Sequence, residues 1–207
     1  MLPQELYDEV IDHLVGQVRT LVTCALVCKR WLLRCRYHLY CKVHLQTRRQ
    51  LGLFYRSLNT DVSLRKIVAS VSVHNPVHSS HTRYTGDDHI DLDIVSVLLV
   101  SILPNLDALL VTGHGDPSGM LHMGQITLRC ATSLHMLSKL ILHNLRFATL
   151  AALGRFVLGF PSLKVLHCTN VEVASHRHEH LVQAHTSRRL ELSELNVSRH
   201  PACRKGR

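Results

Sequence analysis

Apolar and polar positions at the start of the chain follow the period of amphipathic helices. Pro3 and the acidic residues after it are typical of a helix start, and Gly16 predicts the end of that helix. The apolar stripe of this helix consists of Leu6, Val10, Ile11 and Leu14. A second stripe follows, consisting of Leu21, Cys24, Ala25, Leu26, Cys28, Trp31 and Leu32. We therefore predict two or three short helices within residues 2–31.

A different apolar pattern recurs five times beyond residue 60. Each copy has apolar residues at its first, fourth and sixth positions, which is typical of the strand half of a leucine-rich repeat. The copies are Val68, Val71, Val73; Leu106, Leu109, Val111; Leu137, Leu140, Leu142; Leu163, Leu166, Cys168; and Leu192, Leu195, Val197. Their first residues lie 38, 31, 26 and 29 residues apart, so the predicted array is irregular.

Helix signals lie between these copies. The segments 91–103 and 147–160 are apolar at helical spacing and end at Pro104 and Pro161, and segment 173–188 is a more polar third case. Segment 38–45 alternates apolar and polar residues like a half-buried strand, and the polar, basic segment 46–49 predicts a module boundary. The expected class is α/β, although a conventional α/β domain with leucine-containing parallel strands remains an alternative to a repeat array.

The N-terminal pattern resembles a known module. It consists of Leu2-Pro3-Gln4-Glu5-Leu6, Val10-Ile11, Leu14, Leu21 and Leu26-Val27-Cys28-Lys29-Arg30-Trp31. This order resembles the F-box, the helical module that docks onto a Skp-type adaptor of cullin-based ubiquitin ligases. One departure is Thr20, which stands where the family usually has an acidic residue. The alternative is that residues 2–31 are the first helical pair of a larger α-rich domain.

The resemblance extends to the rest of the chain. Leu103-Pro104-Asn105-Leu106 and Phe160-Pro161-Ser162-Leu163 resemble the helix-to-strand corners of fungal F-box proteins with degenerate leucine-rich repeats. It implies an F-box at 1–45, a short irregular repeat solenoid at 46–198 and a basic tail at 199–207. The residues implied to bind the Skp-type adaptor are Leu2, Pro3, Leu6, Val10, Ile11, Leu14, Leu21, Leu26, Val27 and Trp31.

Composition narrows the remaining classes. Apolar residues make up 46% of the chain and aromatic residues 5%, which favours a core of leucine, valine and alanine. The longest apolar stretch, 92–103, is too short to span a bilayer, and no signal peptide is visible. Seven cysteines without a secretory signal indicate reduced thiols, which we expect in the cytoplasm or the nucleus. Cys24 and Cys28 are expected to be small buried apolar residues rather than metal ligands.

Few residues suggest reaction chemistry. The cluster of His176, His178, His180 and His185 lacks further ligands and is read as surface histidines. The glycine-rich segment 113–119 matches no phosphate-binding motif, and the hydrolase patterns GxSxG and HExxH do not occur. We expect no catalytic residue, cofactor or metal. The formal net charge is +9, but aromatic residues that could stack on nucleic acid are not interleaved with the basic residues. We therefore expect a solvated basic surface.

The sequence thus predicts a non-enzymatic substrate adaptor of a cullin-based ligase, with an unknown protein substrate held by the repeats. The expected exposed strand positions are Ser138, Lys139, Ile141, His143, Lys164, His167 and Thr169. The alternative is a basic leucine-rich repeat protein that binds protein or nucleic acid without a ubiquitin link; an enzyme ranks third. The uncapped, basic segment 199–207 further predicts a frayed last copy and a shortened family member.

Overall fold

Helices occupy most of the first third of the protein. The computed structural model describes residues 3–74, 90, 95, 102–113, 134–175 and 191–198. Its first elements are α1 Gln4–Asp12, α2 Val18–Ala25, α3 Lys29–Cys41, β1 Lys42–Leu45, α4 Arg48–Thr60 and α5 Leu64–Ile67. The remaining described elements are β2 Ser70–His74, β3 Ala108–Thr112, β4 Lys139–His143, β5 Arg146–Thr149, α6 Leu150–Leu158, β6 Val165–Thr169, β7 Glu172–Ser175 and β8 Glu194–Ser198. The class is mixed α/β, as predicted.

The two N-terminal stripes form three helices within residues 3–41. Helix α1 ends at Asp12, before the predicted stop, and Gly16 lies in the following turn with φ +91°. The second stripe is split, because the chain leaves the helix after Ala25 and Cys28 is extended (φ −159°, ψ 166°) before α3 begins. Cys28 is exposed and Cys24 half-buried, so the expectation that both are buried was wrong for Cys28.

These three helices enclose a small core of their own. Ile11, Leu21 and Cys35 are buried together, one residue from each helix. The half-buried residues packed against them are Leu14, Cys24, Ala25, Trp31 and Leu39. Burial raises the pKa of the Cys35 thiol, which keeps it neutral and lets it pack as a small apolar group.

The chain passes directly from α3 into the sheet. Residues 38–41 are helical rather than the predicted strand, and only Lys42–Leu45 forms β1. An alternating apolar pattern over four residues fits either element, and here the helix continues because its apolar side packs on the small core. Strand β1 pairs with β2 in parallel, so the sheet begins inside the segment 1–45.

The main sheet of the described chain has six strands in the order β1-β2-β3-β4-β6-β8. Every neighbouring pair is parallel. The register aligns the fourth positions of the predicted copies in one row: Val71, Leu109, Leu140, Leu166 and Leu195. The sixth positions form a second row: Val73, Val111, Leu142, Cys168 and Val197. The fourth and sixth positions of the predicted copies are therefore confirmed as equivalent strand positions, whereas the first positions lie just before the strands.

A turn with the same geometry follows two of these strands. Asn144 and Asn170 come directly after β4 and β6 with φ of 51° and 53°, a conformation that asparagine tolerates better than most residues. The Asn170 side-chain Nδ2 donates to Asn144 Oδ1 over 2.9 Å. Each turn leads into a short strand, and these strands, β5 and β7, form a second parallel pair. These short strands were not predicted.

The helix predicted for 147–160 is shorter than expected. It runs from Leu150 to Leu158, because 147–149 belong to β5 and the Thr149 side chain accepts a hydrogen bond from Ala152 N at the helix start. Residues 173–175 lie in β7, so the third predicted helix was wrong there. Residues 176–188 with their histidines, the glycine-rich residues 114–119 and the tail 199–207 lie outside the described residues. Of segment 91–103, Val95 and Ile102 are helical and buried.

One continuous core lies on the side of the sheet where α4 and α6 pack. It contains Phe54 and Leu58 from α4, Phe156 and Val157 from α6, and the inward residues of β2, β3, β4 and β6. Coverage weakens at β8, where Leu195 and Val197 are 60% and 71% exposed. Among the helices that the structure describes, none has both the length and the apolar character needed to cross a membrane.

Candidate docking surfaces

The structure divides the predicted adaptor-binding residues into two groups. Ile11 and Leu21 are 0% and 2% exposed, and Leu14 and Trp31 are half-buried against the same small core. The exposed group is Pro3, Leu6, Val10, Leu26 and Val27. Leu2 lies outside the described residues. In this conformation Ile11 and Leu21 support the three helices from inside, and direct contact of the set with a partner stays a prediction.

Further apolar residues on these helices and in the turn between α1 and α2 are exposed and were not predicted as docking residues. They are Val15, Val18, Val22, Leu33 and Tyr37. Val18 and Val22 are one turn apart on α2, as are Leu33 and Tyr37 on α3. The sequence did carry a signal for these residues. The short helices have apolar residues on two sides, and only one side is needed to fill the small core. Exposed apolar residues in such number are typical of an interaction surface.

An ion-pair network holds α1 against α3. Arg34 donates from Nε to Asp12 Oδ1 over 2.6 Å and from Nη2 to Asp12 Oδ2 over 2.5 Å. His38 Nε2 also lies 2.6 Å from Asp12 Oδ1. The hydrogen bonds from Arg34 and then His38 hold the pKa of Asp12 well below its ordinary value of 3.8. The network therefore fixes the angle at which the two helices present their exposed side chains.

A groove of about 370 Å³ lies between α1 and α3 beside this network. It is lined by Gln4, Asp8, Arg30, Leu33, Arg34 and Tyr37. The Arg34 guanidinium lies 5.4 Å from the centre of the Tyr37 ring, a cation–π distance that orders both side chains. Gln4 Nε2 donates to Asp8 Oδ1 over 2.9 Å on the opposite wall. The groove is therefore mixed in character and suits a partner side chain with both apolar and polar atoms.

A second surface is the side of the main sheet that faces away from the core, which we call the open face. Residues alternate along β4 and β6, with Leu140, Leu142, Leu166 and Cys168 buried. The residues predicted as exposed are at least partly accessible: Ser138, Lys139, Ile141, His143, His167 and Thr169 are half-buried, and Lys164 is exposed. The predicted alternation is therefore confirmed.

Several histidines line the open face. The rings of His44 and His74, on neighbouring strands, have centres 6.3 Å apart. Burial and the nearby His44 and His143 lower the pKa of His74, which keeps this side chain neutral near neutral pH. His167 Nε2 lies 2.8 Å from Glu194 Oε1, so one carboxylate already pairs with a histidine of this face.

Within the described ranges, the structure contains no group of three or more histidine, cysteine or acidic side chains that could hold a metal ion. The predicted surface histidines at 176–185 lie outside those ranges. No protein-family model matches the chain, and no curated protein gives a significant match.

Proposed function

We propose that this protein is a substrate-recognition adaptor of a cullin-based ubiquitin ligase. Its N-terminal helices dock a Skp-type adaptor, and through it a cullin, while its sheet holds a protein substrate. The single observation that carries the proposal is the exposure of Leu26 and Val27, at 84% and 62%. These two residues belong to the motif that resembles the F-box, and they lie in the junction between α2 and α3.

A partner that covers exposed apolar residues of this kind removes them from water, which is favourable. Covering one leucine side chain contributes roughly 1.5–3 kcal/mol, so a partner that covers Leu6, Val10, Leu26 and Val27 gains a substantial apolar contact. The buried residues of the motif contribute indirectly, because Ile11 and Leu21 hold the three helices in one arrangement. A docking surface that is already ordered before the partner binds loses less entropy on binding.

We also propose that the sheet is a short, irregular leucine-rich-repeat solenoid. Support comes from the parallel strands in chain order, the apolar residues at equivalent positions and the repeated asparagine turns. A solenoid buries one apolar face and leaves a long open face for a partner. In this proposal the protein is not an enzyme, and other subunits of the ligase transfer ubiquitin.

Co-expression with a Skp-type adaptor, followed by size-exclusion chromatography, tests the docking. The double variant Leu6→Asp with Leu26→Asp should lose co-elution, because each change buries a charge at a dry contact. A matched control is Leu53→Asp with Leu150→Asp, which changes two exposed leucines, 51% and 62% exposed, outside the N-terminal helices. The control should co-elute one-to-one like the parent.

Retained co-elution of the Leu6 and Leu26 variant would contradict the proposal. Loss of co-elution in both double variants would also contradict it, since the effect would not be specific to the N-terminal helices. Thermal melting of both variants provides the folding control, because all four substituted side chains are exposed and their replacement should leave the core intact. If the parent itself does not co-elute, salt-dependent retention on random nucleic acid would favour a basic repeat protein without a ubiquitin link.

A further inference from the structure

The open face has an apolar centre with basic groups around it. Ile141 lies in the middle of β4, with Lys139 and His143 on the same strand and the same side. Its direct neighbours across the sheet are Leu110 on β3 and His167 on β6. All of these side chains are half-buried, so they are accessible without being fully solvated. Neighbouring strands are roughly 4.8 Å apart, which brings the five side chains within the span of a short peptide.

The charge of this face is unbalanced. Its charged or titratable groups on the six strands are Lys42, His44, His74, Lys139, His143, His167 and Glu194. The carboxylate of Glu194 is already paired with His167. The two lysines, together with His44 and His143, therefore have no acidic counterpart on the described strands of this face. Acidic groups of a ligand complement such a surface.

We infer that the open face binds an acidic polypeptide segment, with an apolar side chain of the segment over Ile141 and its carboxylates at Lys139 and His143. The inference rests on the proposed function in that this segment is the substrate. Within the protein itself, the carboxylate of Glu194 lies 2.8 Å from His167 on this face, which is the kind of contact proposed for the carboxylates of the bound segment.

Two other occupants fit less well. Single-stranded nucleic acid is held by aromatic rings on which bases stack, and the described strands carry no phenylalanine, tyrosine or tryptophan on the open face. A second copy of this chain brings its own net charge of +9 and would be repelled. An acidic polypeptide satisfies both the apolar centre and the surrounding positive charge.

Fluorescence anisotropy on the full chain tests the inference. The probe is a labelled peptide in which glutamates flank a central pair of leucines, compared with peptides that carry glutamine or lysine in place of glutamate and with single-stranded oligothymidylate. The glutamate peptide should bind most tightly.

Charge-reversal variants locate the site. Lys139→Glu should weaken binding of the glutamate peptide about tenfold, and Lys66→Glu, an equal charge change on the exposed end of α5, should change it less than about twofold. Lys139→Gln, with thermal melting, separates lost binding from lost folding. Equal losses in the two reversal variants, or tighter binding of oligothymidylate than of the glutamate peptide, would overturn the inference. Co-elution with the Skp-type adaptor is measured on the same samples. Loss of peptide binding at the open face is thereby distinguished from failure of the N-terminal helices to dock the adaptor.

Discussion

Four leucines in one row of the main sheet provide a graded test of the core. Leu109, Leu140, Leu166 and Leu195 occupy equivalent positions on neighbouring strands, and their exposed fractions are 7%, 0%, 7% and 60%. Replacement by alanine removes the same atoms at each position. The four variants therefore differ in the free energy of unfolding only because the leucines differ in burial and in the packing around them.

The expected magnitudes follow from burial. Leu140 has hydrogen-bonded strands on both sides and no exposed surface, so little relaxation can fill the cavity, and Leu140→Ala should cost about 4 kcal/mol. Leu166 is also buried, but its outer neighbour Leu195 is exposed, so Leu166→Ala should cost about 2–3 kcal/mol. Leu195→Ala removes a mostly solvated side chain and should cost less than about 1 kcal/mol.

Urea denaturation followed by circular dichroism measures these differences. The midpoint should shift in the order Leu140, Leu166, Leu195, and the slope of the transition should stay constant if only stability changes. Equal losses at Leu140 and Leu195 would refute the reasoning, because they would mean that the last strand is covered as well as the centre. A Leu140→Ala variant as stable as the parent would refute the register of β4 itself.

Two further predictions concern the helices. The lowered pKa of Asp12 contributes stability that is present above its ordinary value of 3.8 and is lost as the pH falls through the lower value of the folded state. The free energy of unfolding of the parent should thus fall more steeply on acidification below about pH 4 than that of Asp12→Asn, and parallel profiles would contradict the network with Arg34 and His38. Thr149→Ala removes the acceptor for Ala152 N and should cost about 1 kcal/mol in thermal or urea unfolding, whereas Thr149→Ser, which retains the hydroxyl, should be near neutral.

The apolar pattern of the sequence predicted the buried side of the strands better than the buried side of the N-terminal helices. The five apolar triplets predicted equivalent strand positions correctly, because a side chain that must be buried at every second residue leaves a strict pattern. Among the predicted docking residues, the pattern gave no means of separating Ile11, which is buried, from Val10, which is exposed. Both sides of α1 and α2 carry apolar residues, so helical spacing alone leaves the inward side ambiguous.

Tertiary contacts also decided where elements begin and end. Residues 38–41 alternate like a strand but remain helical, because Leu39 packs on the core of the three N-terminal helices. The turns at Asn144 and Asn170 and the short strands after them leave almost no apolar signal, since their hydrogen bonds are made to a neighbouring turn and strand. Such pairing depends on residues 26 positions apart in the chain, which no local pattern reports.

Local side-chain chemistry in the sequence was therefore sufficient to predict the α/β class, the N-terminal helices and the parallel rows of buried leucines and valines. These features depend on the period with which apolar residues must leave water. The exposed side chains of α1 to α3, the ion pairs at Asp12 and the grouping of Lys139, Ile141 and His143 with residues of neighbouring strands were decided only by the tertiary structure. They depend on distances between segments far apart in the chain, and those distances exist only once the core has formed.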